Sequence, residues 1–122
     1  MTTMIIGALA LTLFQLWILP ASLNILNVGY LISSRDGVAP DQSVLQGRIS
    51  RAGANLQENL PAFLVLGVLA IIQQVDLTQV AMIWIGLRAL YLLCYMFNLI
   101  YLRTLVWLGS LACMIYMALE LL

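Results

Sequence analysis

Histidine and lysine are absent from this chain, and cysteine occurs only twice in 122 residues. Without histidine there is neither the usual general base near neutral pH nor the commonest metal ligand. Without lysine, and with five basic residues, all arginine, balanced by five acids, there is no basic patch to neutralise phosphates. Nucleic acid is therefore not expected as a partner. Cys94 and Cys113 both lie in apolar stretches and read as small buried hydrophobes; neither a disulfide nor a metal site has support. Charge of either sign is scarce, at 8% of residues, where a soluble domain carries about 25%.

Hydrocarbon fills that gap. The chain is 64% hydrophobic, with a mean hydropathy of +1.06, the composition of an integral membrane protein. Its first residues, MTTMIIGALA, lack a basic n-region and an evident small-residue cleavage site, so they read as a retained span rather than a signal peptide. Four apolar stretches, at about 4–32, 44–73, 77–102 and 104–122, predict an all-α, four-helix transmembrane bundle forming a single domain over 1–122. Pro20 predicts a kink in the first span. Beyond it Asn24 and Asn27, with Tyr30 close behind, serve either as hydrogen-bonding glue between spans or as ligand contacts. The segment SSRDGVAPDQS is a loop whose Asp41 or Ser43 is placed to cap the second helix. Pro61 should bend that helix by leaving the Gln57 carbonyl without its helical donor. Arg35, Arg48 and Arg51 gather at one turn and Arg103 at another, whereas the opposite side holds only Asp76, Glu120 and the termini. The positive-inside rule then puts both arginine-bearing turns in the cytoplasm and both termini outside an inner or plasma membrane.

The second span contains RISRAGANLQENLPAF, the one stretch that hydrocarbon cannot accommodate. On a helix advancing ~100° per residue, Arg48, Arg51, Asn55 and Glu58 fall within an arc of about 80°. Such a stripe must face protein, water or a polar ligand, because charge in hydrocarbon costs several kcal/mol. Arg88, Tyr91, Tyr95 and Asn98 repeat the same offsets on the third span. Counted from the cytoplasmic ends, Glu58 and Arg88 both lie ~21 Å along their antiparallel helices, which predicts their approach, directly or through a shared ligand. A buried ion pair that only holds helices together is one reading of these two residues. For the full set, four arginines facing one glutamate leave excess positive charge, which an anionic ligand entering from the cytoplasm would satisfy. Trp107, Tyr101 and Trp17 read as aromatics of the membrane interface.

These residues resemble the second-span signature of the MAPEG family (membrane-associated proteins in eicosanoid and glutathione metabolism). There an arginine, an asparagine four residues on and a glutamate three further precede an apolar run. The resemblance extends to RALYLLCY in the third span and to an arginine at the turn into the fourth. It implies a homotrimer binding glutathione, as co-substrate, between neighbouring subunits in the cytoplasmic half. Carried over by motif, Arg51, Asn55, Glu58, Arg88, Tyr91 and Tyr95 hold glutathione, and Arg103 is the catalytic arginine that stabilises its thiolate. Five features depart from the pattern: Arg103 lies eight residues beyond Tyr95, a spacing that varies in the family, Trp107 stands where a tyrosine is often found, Asn59 replaces an aromatic, Arg35 only loosely matches a first-span arginine, and the loop Ser33–Ser43 is short.

The implied function is a microsomal-type glutathione transferase or peroxidase acting on lipophilic electrophiles that arrive from the bilayer. The alternative is a non-catalytic lipid-binding or scaffold protein of the same fold. A small multidrug transporter fits poorly, since the first span holds no acid and arginine is strongly biased to one side.

Overall fold

The structure, a computed structural model, describes residues 1–23 and 44–122. Asn24, Asn27, Tyr30, Arg35, Asp41, Ser43 and the rest of the predicted loop lie outside the described residues. The described chain is helical, with no strand: α1 (Thr2–Leu13), a π-turn (Phe14–Ile18), α2 (Leu19–Leu23), α3 (Val44–Gln73), α4 (Thr78–Met96) and α5 (Ile100–Glu120). Four helical stretches are long and apolar enough to cross a bilayer, the run from Thr2 to Ser22 being the first. A helix satisfies its own backbone in hydrocarbon, where no water can do so. The protein is a multi-pass integral membrane protein.

Pro20 is accommodated by the wider turn before it, with ordinary helical dihedrals at Leu13 (φ −59°, ψ −46°) and Leu19 (φ −65°, ψ −48°). A proline has no N–H for the carbonyl four residues back and its ring crowds that carbonyl, so an extra residue in the preceding turn relieves the clash. α3 continues through Pro61 as one helix.

Two helix ends are set by residues in the left-handed region, Gln74 (φ 58°) and Asn98 (φ 56°). After α3, the Gln74 amide donates to the Ile71 carbonyl (3.2 Å) and that of Val75 to Ala70 (2.9 Å). After α4, Asn98 donates to Tyr95 (3.2 Å) and Leu99 to Cys94 (2.8 Å). Both are Schellman closures, which satisfy carbonyls that the end of a helix leaves bare. The third span therefore stops at Met96 rather than near 102, and Asn98, assigned from its spacing to the polar stripe, is an exposed helix stop. At the start of α4 the Asp76 carboxylate accepts from the Thr78 amide at 3.1 Å. Thr78, through its hydroxyl and this amide, holds that exposed carboxyl below its usual pKa.

α4 and α5, joined by the short turn 97–99, pack against each other; α1, α3 and α4 pack mutually, and α3 also meets α5, the π-turn and α2. Two apolar clusters fill the interior. One, around Ala8, Leu56, Phe63, Trp84 and Met117, lies toward the α3–α4 turn, with the Phe63 and Trp84 rings stacked at 3.9 Å. The other, around Ile49, Ala52, Tyr91, Leu92 and Val106, lies toward the α4–α5 turn. Outward faces carry large apolar side chains, among them Ile72 and Leu105, as a surface seated in lipid or against another subunit requires.

Candidate functional site

Between the two apolar clusters the bundle turns polar. Arg88, from the middle of α4, is buried, and its Nη2 donates to Asn55 Oδ1 on α3 at 2.7 Å. Its guanidinium also lies 4.6 Å from the Tyr91 ring centroid, one turn along the same helix. The Asn59 side-chain amide donates to the Asn55 backbone carbonyl (2.7 Å) and, more weakly, to Asn55 Oδ1 (3.4 Å). With both donors converging on Oδ1, the Asn55 amide orientation is fixed, leaving its Nδ2 as a donor for whatever occupies the adjoining space.

That space is a cavity of about 210 Å³ lined by Asn55, Tyr91, Tyr95, Arg103, Thr104 and Trp107. Arg103 lies within the first turn of α5, not in the connecting turn, its amide donating to Leu99 at 2.9 Å. Its guanidinium stacks on the Tyr95 ring at 4.6 Å, and that of Arg51, from α3, stands 6.0 Å from the same ring. Tyr95 thus engages two cations, and its own position is set by an edge-on contact with Tyr91 (centroids 5.2 Å apart). Among the described residues no ion pair involves Arg48, Arg51, Arg88 or Arg103. The N-terminal end of α5 adds the positive pole of its helix dipole. The arrangement is an anion-favouring pocket with hydroxyl and amide groups around it.

Of the sequence-derived residues, Asn55, Tyr91, Tyr95 and Arg103 meet in this cavity, Arg51 stands beside it, and Arg88 supports it from behind. Glu58 does not join them. It is exposed on the protomer, and Arg88 pairs with Asn55 instead. Equal depth along two helices does not fix direction about their axes, and a long arginine side chain reaches a partner a turn away. Thr104 and Trp107 line the cavity although neither was singled out for it. For Trp107 the signal was its place one turn beyond Arg103, on the same face; an interfacial tryptophan has the same signature in sequence.

Compared with known proteins, the chain matches the model of the MAPEG family over residues 2–122. No curated protein and no solved structure gives a match.

Proposed function

The chain belongs to the MAPEG family, and we propose that it is a glutathione transferase whose site is the Asn55–Tyr95–Arg103 cavity, completed by a neighbouring subunit of a homotrimer. The observation that carries this reading is the gathering of Arg51, Arg88 and Arg103 around hydroxyl and amide groups, with no ion pair to any described acid. Glutathione fits that chemistry. It carries two carboxylates and one ammonium, so its net charge is negative, and Arg51 together with the Asn55 Nδ2 donor suits its carboxylates. Glu58 is the acid of the second-span stripe that suits its ammonium.

The single protomer is not a complete site. Its cavity of about 210 Å³ is smaller than the roughly 300–1,000 Å³ of ordinary ligand pockets. Glu58 lies exposed at mid-span, where a carboxylate against acyl chains is costly. A neighbouring subunit across that face would cover Glu58 and enlarge the pocket. The arginine-bearing ends are assigned to the cytoplasmic side, where glutathione is dissolved.

Bound glutathione supplies a thiol as nucleophile. Arg103 favours the ionised sulfur over the neutral thiol, since a guanidinium out of bulk water interacts strongly with a localised negative charge. Tyr95 holds Arg103 in place, and Trp107 supplies an apolar wall for a lipophilic electrophile arriving from the bilayer. The test is calorimetry with glutathione alongside conjugation of a model aromatic halide. Arg103→Ala should keep glutathione affinity within a few-fold and lower turnover on the order of a hundredfold. Undiminished turnover would remove Arg103 from the chemistry. Glutathione binding by the wild type without conjugation of any electrophile would favour the non-catalytic reading.

A further inference from the structure

The described part of the first span contributes one fully buried polar side chain to the bundle interior. Gln15 is 1% exposed, and neither its Oε1 nor its Nε2 has a hydrogen-bond partner. Apolar residues fill most positions of this span, and a buried amide with no partner is destabilising by a few kcal/mol. Gln15 lies in the π-turn Phe14–Ile18 that accommodates Pro20.

Its depth can be read from packing. Leu11 joins the apolar cluster of Trp84 and Phe63, while Leu19 joins that of Ile49 and Tyr91, and Gln15 lies midway between them. Each of the other spans has a polar residue at the same boundary. Asn55 lies between Ala52 and Leu56, Arg88 between Trp84 and Tyr91, and Ser110 between Val106 and Met114. A Cβ added at Gly53 would meet Leu16 Cδ2 at 2.7 Å and the Gln15 carbonyl oxygen at 4.0 Å, which sets Gln15 two residues from the level of Asn55. Arg88 meets this layer with Nε and Nη1 buried and unpartnered, its Nη2 being occupied by Asn55.

We propose that Gln15 and the inner edge of the Arg88 guanidinium share a buried water site inside the protomer, and that Gln15 thereby positions Arg88 against Asn55. The chemistry of the layer selects water. The amide needs both a donor and an acceptor, and the guanidinium needs acceptors; one water can accept from Arg88, accept from Gln15 Nε2 and donate to Gln15 Oε1. An anion would neutralise Arg88 but leave Gln15 Oε1 without a donor. No direct hydrogen bond joins the two residues, so a bridging molecule is the element that links them. The site belongs to the bundle interior, whereas the cavity lined by Tyr91, Tyr95 and Arg103 lies on the other side of Asn55 in the hydrogen-bond chain. The positioning role rests on the proposed glutathione site; the water site does not.

The decisive experiment is a double-mutant cycle on the full-length protein in detergent without glutathione, using Gln15→Leu, Arg88→Met and the double variant. The unfolding equilibrium constants should depart from additivity by about tenfold, and additive effects would overturn the water site. If a variant fails to fold, a high-resolution electron cryomicroscopy map of the wild type answers the same question: solvent density between the two side chains supports the site, and packed carbon there refutes it. For the positioning role, Gln15→Leu should weaken glutathione binding about tenfold while Gln15→Glu, which keeps an acceptor facing Arg88, restores it; unchanged affinity in Gln15→Leu would refute it. If the wild type binds no glutathione, the proposed function and the positioning role fail together, and the cycle and the map still judge the water site.

Discussion

At the scale of single residues, Tyr95 organises the charge of the pocket. Its ring lies 4.6 Å from the Arg103 guanidinium and 6.0 Å from that of Arg51, so the attraction is to the aromatic face rather than to the hydroxyl. A partly desolvated cation–π contact contributes about 0.5–2 kcal/mol. Tyr95→Leu should therefore release both guanidiniums and weaken glutathione binding up to about tenfold, while Tyr95→Phe keeps most of the affinity. Calorimetry on the two variants decides between ring and hydroxyl, since equal losses would show that the hydroxyl is what matters. Asn55 shows why residue identity alone is informative here. A side chain with both donor and acceptor in the middle of an apolar helix needs partners, and those partners are Arg88 and Asn59. Spacing predicted that Asn55 faces inward; it did not predict that Arg88 would choose Asn55 over Glu58, because that choice depends on rotation about two helix axes and on side-chain reach.

At the scale of elements, helix ends decide which side chains enter the site. Because α4 closes at Met96 and α5 begins at Ile100, Arg103 lies inside the first turn of α5, where its side chain reaches back to Tyr95. Had the third span run on to 102, as hydropathy alone suggests, Arg103 would have fallen in an aqueous turn. Hydropathy cannot see this stop, since Phe97, Leu99 and Ile100 are as apolar as any helix residue, and the signal is one asparagine in the left-handed region. Asparagine tolerates that conformation far better than alanine does. Asn98→Ala should cost about 1 kcal/mol of stability, whereas Asn98→Gly should be close to neutral. Denaturant unfolding in detergent measures both, and an Asn98→Ala variant as stable as the wild type would show that the closure tolerates another conformation. The same variant should also reduce turnover, since the path of the turn sets the approach of Arg103.

At the scale of the whole molecule, the bundle was legible because hydrocarbon enforces it: four apolar stretches of sufficient length can be satisfied only as helices. The homotrimer was implied in the sequence by the family resemblance alone; what the structure adds is an imbalance, the exposed Glu58 of α3 set against arginines that no described acid of the same protomer pairs. If Glu58 serves the cavity of the neighbouring subunit, two defects in different chains should complement. Glu58→Ala alone should fail to bind glutathione, and Arg103→Ala alone should bind it without turnover. Co-expressed in equal amounts and randomly assembled, the two should form sites in which one subunit supplies Arg103 and its neighbour supplies Glu58. Random pairing makes about a quarter of the interfaces of a cyclic homo-oligomer intact in this sense, and conjugation activity should recover to about that fraction. If instead each site is built within one protomer, every chain in the mixture carries one lesion and activity stays at background. Purified single variants mixed after folding provide the control, because exchange between assembled oligomers is needed before they can complement.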